Sequence, residues 1–239
     1  MTLAQDSEWK DGMPLLKLVK VNKEYAVGTK TLRVLKDVDL EIEKGELVSI
    51  MGPSGSGKST LLNLIAALDS PTSGKIYLQG FPLHAFPDYK LTLLRRTYVG
   101  IIFQFYNLIP FLTAMENVLL AMDAGEQSVE QARAKTGTLL SSVGLETKMQ
   151  RYPTELSGGE QQRLSIARAL ANDPLIILAD EPTGNLDQKS GKEVMKIFER
   201  LNQERKQTFL IVTHDPVIAS RTNRIITLVD GVIQPGGAR

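Results

Sequence analysis

The sequence predicts an α/β fold with a mixed, largely parallel core sheet, an N-terminal antiparallel β-subdomain and a helical insertion. Three patterns support this prediction. Short apolar runs alternate with helical patterns over most of the 239 residues, as buried strands and their crossover helices do. The N-terminal segment instead alternates apolar with polar side chains. A central stretch rich in Ala, Leu, Glu, Gln and Lys has little strand character.

The individual elements follow in chain order. Segments 15–21 and 38–43 alternate apolar with polar residues, which predicts a half-exposed antiparallel sheet. Helices are predicted at 128–143 and 160–171; Ser128 followed by Gln131 predicts a capping box, and Gly144 predicts a helix end. Asp230 and Gly231 lie between two apolar runs and predict a hairpin. Buried strands of the largely parallel sheet are predicted at 47–51, 75–78, 99–103, 175–179 and 208–213.

These elements predict one domain over residues 14–234, with its core at 14–104 and 173–234 and a helical subdomain at 105–172. Residues 1–13 and 235–239 are predicted to be flexible, because they offer no apolar face to bury. Lys and Arg number 28 against 27 Asp and Glu, so no nucleic-acid partner is predicted. No cysteine is present for a disulfide or a thiolate metal site. Without a signal-peptide pattern or an apolar run of ~20 residues, a cytosolic chain is expected.

A glycine-rich loop joins the 47–51 strand to an apolar-periodic helix and matches G-x-x-x-x-G-K-[ST]. Its glycines let backbone amides turn toward a polyphosphate, and the following helix directs its N-terminus to the same place. Lys58 adds positive charge, and Ser59 supplies a hydroxyl ligand for Mg²⁺. The motif predicts a P-loop NTPase, with kinases, GTPases and motors still open. The predicted nucleotide-binding residues are Gly52, Pro53, Ser54, Gly55, Ser56, Gly57, Lys58, Ser59 and Thr60.

Two adjacent carboxylates follow the 175–179 strand, at the edge where open α/β sheets bind ligands. Asp180 is predicted to hold Mg²⁺, and Glu181 to polarise the water that attacks the γ-phosphate. Adjacent carboxylates repel each other, and a nearby cation relieves that repulsion. The alternative, a solvated strand end, does not account for the phosphate loop that the same chain carries.

Residues 156–163, Leu-Ser-Gly-Gly-Glu-Gln-Gln-Arg, match the LSGGQ-type signature, so the chain resembles the ATP-binding cassette family. The signature offers a hydroxyl and backbone amides at the start of the 160–171 helix, as a second phosphate-binding loop would. In the family this loop closes on ATP held by the opposite subunit. The resemblance therefore implies a homodimer with two sandwiched ATP molecules. The implied contacts are Ser157, Gly158, Gly159 and Glu160.

Four further residues stand in the family's order, and the resemblance gives each a role. Tyr25 resembles the aromatic residue that stacks on adenine, and Gln104 resembles the glutamine that touches Mg²⁺ and water. Asp187, in the Asn-Leu-Asp of residues 185–187, resembles the loop that crosses the dimer interface. His214 resembles the histidine that contacts the γ-phosphate. The implied catalytic residues are Glu181, His214 and Lys58, and the implied metal ligands are Ser59, Gln104 and Asp180.

Taken singly, these residues also have structural interpretations. Tyr25 could be a strand aromatic, Gln104 a polar strand end and His214 a helix cap, and only their joint order favours the functional roles. His84 lies in a loop-like segment and is predicted to be a surface residue without a ligand role.

Within the family, the chain is similar to ATPases of the lipoprotein-releasing and macrolide-exporter branch. The similarity rests on the phosphate loop, the Leu-Arg-Arg of residues 94–96, segment 99–118, the signature and segment 179–187. The branch pairs with a membrane permease, so the resemblance implies a separate permease subunit at the cytoplasmic face of the plasma membrane, with a periplasmic adaptor as an optional component. The predicted contact is an apolar cluster with Glu116 and Asn117 at its rim. Its members are Phe105, Tyr106, Leu108, Ile109, Phe111 and Leu112.

The implied function is ATP hydrolysis that drives export or extraction of a substrate by the permease. One alternative is an ATPase that regulates a membrane-linked cell-wall process without transport. Another is a soluble cassette protein of DNA repair or translation, for which the chain lacks room for a long coiled coil or a second cassette. A phosphate-loop kinase is the last alternative, and the signature argues against it. The substrate is not predicted, because the cargo meets the membrane subunits.

Overall fold

A computed structural model of the chain describes Ser7, Lys10, residues 12–122 and residues 128–235. Most of the predicted flexible N-terminus and residues 236–239 of the predicted tail lie outside the described residues. The elements are β1 (Leu16–Val27), β2 (Lys30–Ile42), β3 (Leu47–Met51), α1 (Lys58–Ile65), β4 (Ser73–Leu78), β5 (Phe81–Pro82), α2 (Asp88–Tyr98), β6 (Val99–Ile102), α3 (Ala114–Leu119), α4 (Val129–Ser142), α5 (Gly158–Ala169), β7 (Ile176–Asp180), α6 (Gln188–Arg205), β8 (Thr208–Val212), α7 (Pro216–Ala219), β9 (Arg224–Val229) and β10 (Val232–Ile233).

The core sheet has six strands in the order β10-β9-β3-β8-β7-β6. Strands β9, β3, β8, β7 and β6 run parallel, and β10 pairs antiparallel with β9. The mixed, largely parallel sheet predicted from the sequence is therefore confirmed. Because the five parallel strands share a direction, the loops that follow β3, β6, β7 and β8 leave from one edge of the sheet, where α/β proteins bind ligands.

The second sheet has four strands in the order β2-β1-β4-β5, all antiparallel. It confirms the predicted N-terminal antiparallel subdomain and corrects the prediction for segment 75–78. That segment belongs to β4 and pairs with β1 instead of joining the parallel sheet. The physical reason is visible in its burial, because Ile76 and Leu78 are buried while Lys75 is exposed and Tyr77 only half-buried. Such alternation is typical of a sheet with one covered face.

Two apolar clusters hold the layers together, one on each face of the core sheet. Val48, Ile50 and Leu210 point into the cluster shared with the antiparallel sheet and α1. Their neighbours Leu47 and Phe209 point into the cluster shared with α5 and α6. Strands that are buried on both faces have continuous apolar sequences, and for this reason the strands of the core sheet could be predicted.

The helical insertion begins its helices at side-chain caps. Ser128 and Gln131 form the predicted capping box at the start of α4, and Gly144 follows the end of this helix with a φ of +73°. The predicted 160–171 helix is α5, which starts two residues earlier at Gly158 because Ser157 caps it. The predicted hairpin is also present, since residues 230 and 231 join β9 to β10 with positive φ angles of 49° and 78°.

Candidate functional site

A cavity of about 490 Å³ opens at the carboxyl edge of the core sheet. It joins residues that are far apart in the sequence, from β2 to the segment that follows β8. Its lining brings together most of the predicted phosphate loop and all three predicted catalytic residues, Lys58, Glu181 and His214. The lining residues are Val34, Ser54, Gly55, Gly57, Lys58, Ser59, Thr60, Glu181, Val212 and His214.

The phosphate loop is shaped by close backbone packing at its start and by a left-handed residue at its end. A Cβ on Gly52 would lie 2.0 Å from the Leu228 carbonyl oxygen, so only glycine fits there. Gly57 has a φ of +100° immediately before α1. The Lys58 ammonium donates hydrogen bonds to the carbonyl oxygens of Gly52 and Pro53, at 2.9 and 2.8 Å. The lysine is thus held beside the loop.

The loop also carries a buried donor. The Ser56 hydroxyl is buried and has no hydrogen-bond partner among the described residues. An unpaired buried hydroxyl calls for a partner, and a phosphate oxygen can provide one. Together with the N-terminus of α1 and the Lys58 ammonium, Ser56 gives the loop a donor set that suits a polyphosphate.

Ser59, which lines the cavity, contacts Asp180 although the two are 121 residues apart in the chain. The Ser59 Oγ donates a hydrogen bond of 3.3 Å to the Asp180 Oδ1. Burial raises the pKa of the Asp180 carboxyl, the adjacent Glu181 raises it further, and Ser59 and Lys58 oppose the shift. A hydroxyl beside a partly buried carboxylate offers the hard oxygen ligands that Mg²⁺ prefers, so these two residues fit the predicted metal.

Glu181 and His214 form a second pair in the same cavity. The Glu181 Oε1 lies 2.7 Å from the His214 Nδ1, and the carboxyl side chain is 15% exposed. Glu181 has a φ of +44°, and its N–H donates to the Val212 carbonyl oxygen at 2.9 Å. A left-handed residue at the end of a strand turns the side chain away from the sheet, and such conformations cluster at functional sites. The pair has the geometry of a carboxylate that a histidine orients.

Gln104 lies beside the loop that follows Glu181. The strand β6 ends two residues before it, and the Asn185 side chain donates a 2.9 Å hydrogen bond to the Gln104 carbonyl oxygen. A Cβ added to Gly184 would lie 3.5 Å from the Gln104 amide nitrogen and 3.5 Å from the Glu181 Cβ. Gln104 therefore neighbours the Glu181 loop, although it does not line the 490 Å³ cavity.

The signature loop and the Asp187 segment contact each other. Ser157 and Glu160 form a reciprocal capping box at the start of α5, which lowers the pKa of the Glu160 carboxyl. Asp187 caps α6 by accepting hydrogen bonds from the Ser190 N–H and hydroxyl, which lower its pKa. A Cβ on Gly159 would lie 3.0 Å from the Ser190 side chain. No residue of the signature or of segment 185–187 is among the described residues that line the cavity.

Tyr25 lies next to the cavity without lining it. Its hydroxyl donates a 2.8 Å hydrogen bond to the Asp69 Oδ2, and Lys23 contacts both residues. Burial raises the pKa of Tyr25, and the Asp69 hydrogen bond adds to this shift while Thr60, a lining residue, opposes it. Lys23 and Asp69 were not among the site residues predicted from the sequence. Lys23 and Tyr25 are two apart in a strand, a spacing that places side chains on one face and could have linked them.

Comparison with known proteins decides the family. The model of the ABC transporter family matches residues 35–184. The chain belongs to the ABC transporter family. It is an ATP-binding subunit of an ABC transporter and an ATP hydrolase, as the sequence analysis predicted.

The relatives cover nearly the whole chain. An uncharacterized ABC transporter ATP-binding protein of Methanocaldococcus jannaschii, MJ0796, is 47% identical over 224 residues, covering 92% of this chain and 95% of the relative. The lipoprotein-releasing system ATP-binding protein LolD of Anaeromyxobacter dehalogenans is 47% identical over 225 residues, covering 94% of each chain. These relatives confirm the predicted resemblance to the lipoprotein-releasing branch.

Two further matches concern the macrolide-exporter branch and the fold. The macrolide export ATP-binding/permease protein MacB of Hahella chejuensis is 46% identical over 220 residues, which are 92% of this chain but only 34% of MacB. The dimeric structure of MJ0796 in a post-hydrolysis state with ADP and Pi matches with a TM-score of 0.85, covering 92% of this chain and 96% of that one. This match confirms the predicted P-loop NTPase fold of the ABC cassette.

The apolar cluster that was predicted as the permease contact has some members in the core and others on the surface. Phe105 and Phe111 are 73% and 76% exposed, whereas Leu108 is partly buried against the second apolar cluster. Asn117, predicted at the rim, is only 2% exposed. It is buried because its side chain bonds the backbone of residues 109, 112 and 113 and so holds the segment that presents Phe111. Within the described ranges, no helix is long and apolar enough to span a bilayer.

Proposed function

We propose that this chain hydrolyses Mg²⁺-bound ATP in the 490 Å³ cavity and, as a homodimer, drives a separate membrane permease. The convergence of three groups in that cavity carries the proposal. These are the Lys58 phosphate loop, the Ser59–Asp180 pair and the Glu181–His214 pair. The loop binds the phosphates, the first pair binds the metal, and the second pair acts on water.

The chemistry follows from the chain's own residues. Glu181 accepts the proton of the attacking water, and the His214 ring holds the carboxylate in place through the 2.7 Å contact. Lys58 stabilises the charge that develops on the γ-phosphate, where a cation in a partly enclosed site is most effective. When bound, Mg²⁺ would supply further positive charge, with Ser59 and Asp180 as protein ligands and Gln104 as a third ligand that the family resemblance implies.

The dimer follows from the position of the signature. Ser157, Gly158, Gly159 and Glu160 are not among the residues that line their own chain's cavity, and Ser157 is exposed at a helix start, which suits a phosphate. In a head-to-tail pair, each signature would cover the nucleotide of the other subunit, with Asp187 at the interface. The dimeric state of the MJ0796 cassette supports this arrangement.

The permease partner rests on the relatives and on the exposed surface near Phe105 and Phe111. Two relatives are named for lipoprotein release and for macrolide export, and the name of MacB joins an ATP-binding part and a permease in one protein. We place the chain at the cytoplasmic face of the plasma membrane, bound through the permease. A periplasmic adaptor would belong to the same assembly, and no nucleic acid is involved.

The test replaces the proposed base while keeping its shape. Glu181→Gln is expected to bind ATP and to lower turnover by about 10²–10⁴-fold, because the amide cannot accept the proton. It should also accumulate an ATP-bound dimer, which size-exclusion chromatography with light scattering detects. Glu204→Gln, an exposed change far along α6, is the matched control and should retain wild-type turnover.

Normal turnover in Glu181→Gln would refute its role as base. Lys58→Ala should instead raise the dissociation constant for ATP, which calorimetry measures. A permease should be recovered with the wild-type chain from detergent-solubilised membranes, and ATPase activity indifferent to that permease would refute the coupling.

A further inference from the structure

Three charged and aromatic side chains form a closed cluster beside the nucleotide cavity. The Lys23 ammonium donates to the Asp69 Oδ1 at 2.6 Å and to the Ser70 carbonyl oxygen at 2.8 Å. The Tyr25 hydroxyl donates to the other Asp69 oxygen, the Oδ2, at 2.8 Å. The Lys23 ammonium also lies 4.7 Å from the centroid of the Tyr25 ring. Each of the three groups therefore contacts the other two.

The cluster is well shielded for a set of ionised groups. The Lys23 side chain is only 11% exposed, and the Asp69 side chain is partly buried. A nearly buried lysine loses both hydration and rotamer freedom, so it is retained only where its contacts compensate. Although burial raises the pKa of Asp69, the hydrogen bonds from Lys23 and Tyr25 lower it overall. The carboxylate is therefore the charged centre that ties lysine and phenol together.

The geometry restricts what the tyrosine ring can offer to a ligand. The ammonium covers one face of the ring, and the phenol hydroxyl is used by Asp69. Tyr25 nevertheless remains 37% exposed as a residue, and its phenol interacts with Thr60, which lines the nucleotide cavity. A cation on one face of an aromatic ring attracts the ring and fixes its position. The ring is therefore held by Lys23 and Asp69 while part of the residue stays accessible to a ligand.

We propose that Lys23 and Asp69 are positioning residues for nucleotide binding, which fix the Tyr25 ring so that the base of ATP stacks on it. This inference rests on the proposed function, since it deepens the role of Tyr25 in the same site. Neither residue is among those that line the cavity with the phosphate loop, so both are expected to act on the base through the Tyr25 ring. Preorganising the ring lowers the entropy cost of binding, because the side chain is already ordered before the base arrives.

A purely structural role makes a different prediction. The same contacts join β1 to the segment after α1, and loosening that connection would disturb the helix that carries the phosphate loop. Such damage would weaken the binding of ATP and of inorganic tripolyphosphate alike, because both would bind to the phosphate loop. A role through the Tyr25 ring affects ATP alone, because tripolyphosphate has no base.

The experiment measures dissociation constants for ATP and for tripolyphosphate in the full chain by calorimetry, together with kcat. Lys23→Met should raise the dissociation constant for ATP roughly three- to tenfold, which corresponds to the loss of a partly desolvated cation–π contact. The dissociation constant for tripolyphosphate and kcat should both stay within about twofold of wild type. Lys23→Arg should restore most of the ATP affinity, because it keeps the cation. Lys20→Met, which removes the exposed Lys20–Asp39 pair on the same strand, is the control and should change nothing.

A double-mutant cycle with Tyr25→Ala identifies the route of the effect. In the Tyr25→Ala background, Lys23→Met should change ATP affinity by less than about twofold, because there is no ring left to position. The same loss in both backgrounds, or an equal loss for tripolyphosphate, would overturn the inference and leave the proposed function intact. Unchanged ATP affinity in Tyr25→Ala alone would overturn the base contact that the family resemblance implies for Tyr25, and the inference with it, while the proposed hydrolysis in the cavity would stand. Should Lys23→Met fold poorly, Asp69→Asn takes its place, because it keeps the side-chain shape. It is expected to weaken ATP binding and to leave tripolyphosphate binding unchanged in the same way.

Discussion

Asn117→Ala should destabilise the chain strongly, because this buried amide makes four hydrogen bonds. Its Oδ1 accepts from the Ile109 N–H at 2.8 Å, and its Nδ2 donates to the carbonyl oxygens of Ile109, Leu112 and Thr113 at 3.1, 2.9 and 3.0 Å. At about 0.5–1.5 kcal/mol for each bond, the expected loss of unfolding free energy is about 2–6 kcal/mol. That is a large fraction of the ~5–15 kcal/mol that stabilises a typical domain.

Urea unfolding followed by circular dichroism measures this loss, and the thermal midpoint should fall by roughly 6–15 °C. Asn202→Ala is the matched control. That side chain makes two comparable bonds, to the carbonyl oxygens of Gly45 and Gln207, so about half the loss is expected. A loss below about 1 kcal/mol for Asn117→Ala, or one no larger than for Asn202→Ala, would refute the assigned role of the amide.

Two further predictions concern the phosphate loop and the cluster beside it. Gly52→Ala should weaken ATP binding and lower the free energy of unfolding by about 1–3 kcal/mol, because its Cβ would lie 2.0 Å from the Leu228 carbonyl oxygen. Gly28→Ala is the control for ATP affinity, because a Cβ there meets no atom within 4 Å. Equal ATP affinities in the two variants would contradict the clash. Asp69 has a lowered pKa, so its stabilising contribution is present above its unfolded pKa and lost as pH falls through the lower folded value. Urea unfolding measures the difference in unfolding free energy between wild type and Asp69→Asn, and this difference should decrease as the pH falls below about 4. An unchanged difference at lower pH would contradict the prediction.

Much of the candidate site could be predicted from the sequence because its determinants are local. The phosphate loop, the acidic pair at the end of β7 and the Ser157 cap each depend on a few consecutive residues, whose glycines, charges and hydroxyls define the local backbone. The same holds for the capping box at Ser128 and the hairpin at Asp230, where neighbouring side chains satisfy or shape the backbone.

Other features required the folded chain. Segment 75–78 reads as an apolar strand, but the sequence alone does not specify its neighbour, which is β1 in the second sheet. Asn117 reads as a polar residue near an apolar cluster, yet it is buried because the preceding loop wraps around its amide. Lys23 and Asp69 are 46 residues apart and have no shared local pattern.

The sequence by itself therefore determined the family and the class of fold, and it predicted the phosphate-binding residues, because each of these is encoded over short stretches of chain. The tertiary structure decided which of these residues meet, as in the contact between Ser59 and Asp180 across 121 positions. It also decided which meet only outside the cavity, as the signature and segment 185–187 do. Such distances depend on strand order and layer packing, which arise from the apolar contacts of the whole chain.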